Sequence, residues 1–264
     1  MRTSLFLLIT LLSLVSCNKK KKDTSMPVGI SRNGISASCN KKKKDTSRYH
    51  NHIDLGLSVL WSATNIGAEK ETDYGDFFAW GENKVKDYYA DCTYKYRIED
   101  GEMFGHQFYR YTKYVTNENS RDDLYDNKLE LDDEDDTATT LWKGKWRMPT
   151  EKEFKELLDK RNCFWEWYPT GNSKFDGIAG FKVTSRIEGY KGKYIFLPAA
   201  GFIICDEHYH KEEYVCYWSK SLNSFDDIYD EPYAICFGND LAVDIAEKYY
   251  RYQGFTIRPV KSKK

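Results

Sequence analysis

The chain has 264 residues, 41% hydrophobic and 31% charged, and a net charge of only −1. That length and apolar content suffice for one substantial core, and no segment approaches the roughly 20 consecutive apolar residues of a membrane-spanning helix. The near-neutral total is a cancellation: residues 1–48 carry a net +9 and residues 49–264 a net −10. The large part is therefore acidic, which argues against nucleic acid as its partner.

In chain order, Arg2 precedes an apolar run from Leu5 to Val15, and the run ends in Leu14-Val15-Ser16-Cys17. This arrangement resembles a bacterial lipoprotein signal peptide, residues 1–16, cut before Cys17 and acylated on it. More than one acyl chain, palmitate included, makes such an anchor durable. Asn18 follows the cysteine rather than an aspartate, which favours the outer membrane, and the Lys19–Lys22 run leaves open whether the protein faces the periplasm or the surface. Residues 17–48 form a basic tether with little to fold on, attracted to acidic lipid at about 1 kcal/mol per cation. The decapeptide Ser16–Ser25 recurs without change at Ser38–Ser47, but Cys39 follows no apolar run and is not expected to be acylated.

Residues 49–264 have the length of a single domain. From Asn83 to Glu130 periodicity is weak and aromatics are frequent. Tyr94, Tyr96, Tyr109 and Tyr111 within it are the candidate ligand-binding residues, because tyrosines bring area and a hydroxyl at small entropic cost. The competing reading packs the same rings on the scaffold. Asp132-Asp-Glu-Asp-Asp136 lacks the spacing of a calcium loop and reads as a solvated loop entering a helix that runs toward Trp142, its acids at the positive end of the helix dipole. Thr150 and Glu153 form a capping box after Pro149, and Phe154, Leu157 and Leu158 continue at helical spacing toward Lys160. Phe181–Ser185 and Phe255–Arg258 alternate like half-buried strands; Tyr194–Leu197 and Ala234–Phe237 are continuous, like strands covered on both faces. Short strands with two helices define an α+β class.

Asp206-Glu-His-Tyr-His210 places His208 and His210 two apart, as on one side of a strand, and offers a weak zinc site with Asp206. It lacks a partner pair at a diagnostic spacing, so no metal or other cofactor is expected. Cys205 and Cys216 flank this loop and are the candidate disulfide; the alternative is that the domain's cysteines are small buried hydrophobes.

Six phrases fall in a familiar order: His52-Ile-Asp-Leu-Gly-Leu57, Tyr74-Gly-Asp-Phe-Phe-Ala-Trp-Gly-Glu82, Trp146-Arg-Met-Pro-Thr150, Phe196-Leu-Pro-Ala-Ala-Gly201, Tyr217-Trp-Ser-Lys-Ser221 and Ile257-Arg-Pro-Val260. Together, from about His52 to Val260, they resemble the Fibrobacter succinogenes major paralogous domain, common among lipoproteins and secreted proteins of the Bacteroidetes. The resemblance implies a C-type lectin-like, formylglycine-generating-enzyme-like fold with twisted antiparallel sheets, about two helices and long irregular loops. It implies no activity. Glu231-Pro-Tyr233 and Gly238-Asn-Asp240 depart from the calcium-lectin triplets, and no reactive cysteine pair of the enzyme type surrounds Cys205, Cys216 or Cys236. Most matching residues read as architecture: Gly75, Gly81, Gly180 and Gly201 as turns or close approaches, Trp80, Trp146 and Trp218 as core, Arg147 and Arg258 as carbonyl caps or partners of Asp76 or Glu82.

The expectation is a cell-envelope protein anchored to the membrane through Cys17, with a non-catalytic lectin-like domain that binds a glycan or protein. The alternatives are a metal-assisted hydrolase at Asp206, His208 and His210, or a structural part of a surface assembly.

Overall fold

The computed structural model describes residues 51–103, 106–116, 124–223, 231–239 and 249–263. All belong to the unit Asp45–Lys264. The signal peptide and the whole of the tether lie outside the described residues.

Among the described residues the architecture is α+β, with five antiparallel sheets, two α-helices and long loops. Strands β1 (His52–Ile53), β2 (Val59–Ser62), β5 (Trp146–Arg147) and β13 (Val260–Ser262) form a sheet in the order β1-β2-β13-β5. β3 (Arg97–Met103) and β4 (His106–Tyr111) make a hairpin, as do β9 (Phe202–Ile204) and β10 (Glu207–Tyr209). β6 (Cys163–Tyr168), β7 (Gly180–Ser185) and β8 (Tyr194–Pro198) form a three-stranded sheet. β11 (Val215–Leu222) pairs with β12 (Pro232–Phe237).

Helix α1 (Thr137–Trp142) begins at Asp136, whose side chain accepts from Thr139 N, and helix α2 (Glu151–Leu158) begins at Thr150 with both bonds of its capping box in place. Arg147 forks onto Glu153 with bonds of 2.8 and 2.5 Å, so its carboxylate partner lies in the capping box and is neither Asp76 nor Glu82.

The β11–β12 ribbon lies between two hydrophobic clusters. Val215, Tyr217, Tyr233, Ile235 and Phe237 point into one, with Trp61, Phe154, Phe181 and Leu197. Cys216, Trp218 and Cys236 point into the other, with Trp80, Tyr94, Tyr114 and Phe255. Alternate residues of a strand face opposite ways, so a ribbon between two cores must be apolar on both sides. Two tryptophans close the second core reciprocally: Trp80 Nε1 donates to Ser219 O at 2.8 Å, and Trp218 Nε1 to Phe78 O at 2.9 Å.

Residues Phe255–Arg258 are not the half-buried strand that their alternation predicts. They make isolated bridges to Phe78 and Tyr217, and all four are buried. The polar members bond inside the protein: Thr256 Oγ1 donates to Cys216 O, while Arg258 caps Ser62 O at 3.1 Å and Phe196 O at 2.8 Å, joining β2 to β8. Gly201 has φ +63°, and a Cβ there would sit 2.1 Å from Tyr209 O, so only glycine fits this reversal.

Candidate functional site

The tyrosines of the 83–130 stretch are held from below. Tyr94 OH donates to Trp80 O at 2.9 Å, and its ring meets Tyr96 and Tyr111 edge-on at 6.1 and 6.0 Å; Tyr96 meets Tyr114, and Tyr114 meets Trp80. Arg251 is fully buried beside them. Its guanidinium lies 4.0 Å from the Tyr111 ring centre and donates to the carbonyls of Lys113 and Tyr114. Tyr94 and Tyr96 are thus core residues, Tyr111 is half-buried, and the side chain of Tyr109 falls outside the described residues. This corrects the expectation that Tyr94 and Tyr96 offer their rings to a ligand. Edge-to-face contacts and buried hydroxyl bonds use the same amphipathic chemistry that binding would.

Two buried carboxyls end this row of rings. Asp135, 1% exposed, accepts from Tyr114 OH at 2.6 Å, from Lys113 at 2.6 Å, from Lys95 at 3.0 Å and from Tyr96 OH. Burial raises its pKa, but bonds from Lys113, Tyr114, Tyr96 and Lys95 outweigh that and hold it at about 2. Glu231, 6% exposed, accepts from Tyr111 OH through Oε1 at 3.1 Å, while Oε2 is buried with no hydrogen-bond partner among the described residues. Burial pushes this carboxyl up to about 7, against the opposing pull of Arg251, Tyr111 and Arg97. With Tyr233 also buried, the Glu231-Pro-Tyr233 word is core, not a cation loop.

Asp132, Glu134 and Asp135 bring three carboxylates within 4.8 Å of one another. Lys113 Nζ lies 2.7, 3.3 and 2.6 Å from them, and Lys128 and Lys95 pair with Asp132 and Asp135 at 2.6 and 3.0 Å, so the cations that neutralise the group are part of the chain. The run is therefore less solvated than its charge suggests: Asp135 and Asp136 are buried, and Asp136 also accepts from Met148 N.

The histidines do not converge. His208, on β10, bonds Ala200 O at 2.5 Å and meets Phe77 edge-on; His210 lies beyond the strand at φ +51°, pairs with Glu213 at 3.0 Å and stacks on Tyr214. The left-handed turn at His210 breaks the alternation that places i and i+2 on one face. Among the described residues, Asp206, His208 and His210 form no three-donor group.

The disulfide differs from the sequence expectation. Cys216 bonds Cys236, its direct partner in the β11–β12 register, with Cα atoms 4.1 Å apart. Cys205 is a free thiol in the β9–β10 turn, and Cys163 is free and buried.

In the β6–β7–β8 sheet the sequence pattern marks β7 as alternating and β8 as covered on both faces, and nothing in it marks β6 or the outer face as a site. Cys163, Trp165, Phe181, Val183, Ile195 and Leu197 face the core. The opposite pleat carries Phe164 and Glu166, both exposed, with Tyr168, Lys182 and Tyr194 half-buried. Cations lie over its rings: Lys174 5.2 Å from Tyr168, Lys182 5.1 Å from Tyr194, and Arg186 5.3 Å from Phe164. Phe175 stacks on Phe196 at 3.9 Å and seals the end of this face.

No protein-family model, curated protein or solved structure matches this chain. No helix among the described residues is long and apolar enough to cross a membrane.

Proposed function

We propose that the protein is a lipid-anchored, non-catalytic binding module of the bacterial cell envelope, attached to the outer membrane through acylated Cys17. Residues 17–48 act as a basic spacer, and the domain takes a glycan or protein ligand. We further infer, from the six ordered phrases between His52 and Val260, a relationship to the Fibrobacter succinogenes major paralogous domain and its lectin-like fold; the antiparallel sheets with two helices agree with that relationship.

The observation that carries the binding reading is the open outer face of the β6–β8 sheet, where exposed Phe164 and half-buried Tyr168 and Tyr194 are interleaved with Glu166, Lys182 and the cations over their rings. Amphipathic rings beside charged groups on a rigid sheet suit recognition at low entropic cost. Three groups that an enzyme could draw on are bound within the fold: His208 to a backbone carbonyl, Asp135 to four donors, Cys216 to Cys236.

A glycan array and a pull-down from envelope extract, both with the full chain, test the reading. A saturable ligand is the expected result; catalytic turnover with no saturable ligand overturns it. Metabolic labelling with palmitate tests the anchor, with label expected on the wild type and lost in Cys17→Ser. Label retained in that variant removes Cys17 from the proposal. Protease shaving of intact cells separates a surface-facing domain from a periplasmic one.

A further inference from the structure

The outer face of the β6–β8 sheet has an electrostatic feature at odds with the rest of the domain. Residues 49–264 carry a net −10, yet this face presents Lys174, Lys182 and Arg186 against Glu166 and, at its edge, Glu71, which accepts from Tyr194 OH at 3.5 Å. Lys174 reaches it from the loop after β6, donating to Tyr168 OH at 3.2 Å, while Lys182 rises from β7 opposite Glu166. Burial, and then the neighbouring Lys174 ammonium, lower the pKa of Lys182. No ion pair within 4.0 Å relieves either lysine among the described residues. Lys174 bonds Tyr168 OH, which bonds Glu166, and Lys182 stands opposite Glu166, so both ammoniums flank the same two side chains and one anion can bridge them through charge-assisted bonds, the strong kind.

Glu166 decides what sort of anion. It lies opposite Lys182 in the register, is exposed, and already accepts from Tyr168 OH at 2.9 Å. An acidic peptide side chain brings only acceptors and is repelled by it. A sugar acid brings a carboxylate for the lysines and hydroxyl donors for Glu166, with a ring that packs against aromatic edges. We propose that the Lys174–Lys182 pair with Glu166, Tyr168 and Tyr194 is a binding site for an anionic, uronate-type sugar. The proposal rests on the binding-module reading and names the ligand class for it.

The test uses the full chain with three probes: trigalacturonate, its methyl ester and triglutamate. Because residues 1–48 are basic, Lys174→Gln/Lys182→Gln is compared with a charge-matched control, Lys152→Gln/Lys160→Gln, whose side chains are exposed elsewhere. The expected result is saturable binding of trigalacturonate that weakens about tenfold or more in the sheet variant and for the ester, and stays within about twofold in the control. Equal binding by the sheet variant, equal binding of the ester, or no binding of trigalacturonate overturns the proposal. Triglutamate binding as tightly as the sugar acid also overturns it, in favour of an acidic peptide. If the array yields a ligand whose affinity the sheet variant keeps, the binding module stands and only the uronate site falls.

Discussion

The Tyr114 hydroxyl donates to the Asp135 carboxylate at 2.6 Å, deep beneath the 83–130 stretch, where Asp135 also gathers Tyr96 and two lysines. Replacing Asp135 by Asn removes the charge that those ammoniums face and leaves buried donors poorly matched. The expected loss is about 3 kcal/mol, read from the urea midpoint. The same bonds depress the Asp135 pKa from 3.8 to about 2. Their contribution, about 2 kcal/mol, is present above pH 3.8 and is lost as pH falls toward 2. Asp135→Asn should show a smaller drop in Tm over that window than the wild type.

Glu231 has the opposite sign. Its pKa rises from 4.5 to about 7, so the folded state favours the neutral acid. The contribution is present below pH 4.5 and is lost as pH rises through 7, on the order of 3 kcal/mol in all. Glu231→Gln keeps an acceptor for Tyr111 and removes the titration. Thermal unfolding should find the variant gaining on the wild type between pH 5 and pH 8; a gap that ignores pH would count against this account.

The cysteines should separate by alkylation. Cys205 is a partly exposed free thiol, whereas Cys163 is buried and its thiol is pushed up to about 12 by that burial. Iodoacetamide on the native protein should therefore modify Cys205 and spare Cys163 until denaturant is added. Non-reducing peptide mapping should recover Cys216 linked to Cys236.

Two glycines with positive φ should respond differently to alanine. At Gly201 the new Cβ meets the Tyr209 carbonyl oxygen at 2.1 Å, while at Gly189 nothing lies within 4 Å. Gly189→Ala should cost only the left-handed backbone strain, about 1 kcal/mol, and Gly201→Ala several times more in denaturant unfolding.

How far the sequence could be read depended on whether its polar residues face water. The Thr150–Glu153 box marked the start of α2, and β7, β8 and β12 followed from their apolar patterns, because in each the local signal and the burial agree. Phe255–Arg258 misled because Thr256 and Arg258 spend their polarity on buried carbonyls, which in sequence looks like a wet face. The tyrosines were ambiguous for a related reason: a ring with a hydroxyl suits a core with acceptors as well as an exposed loop. The disulfide needed the β11–β12 register, which no local spacing reveals. The lysine pair on the β6–β8 sheet needed Lys174 to fold back from a loop over a neighbouring strand's face.

The order β1-β2-β13-β5 places a late segment of the chain in the interior of a sheet. Val260 aligns with Trp61 on one side and Arg147 on the other, so β2 waits for a partner that comes about 200 residues later. Until that segment arrives, β2 and β5 are two open edges with no strand between them. This sheet is complete only once Val260–Ser262 are available, so its last strand is also among the last residues a ribosome supplies.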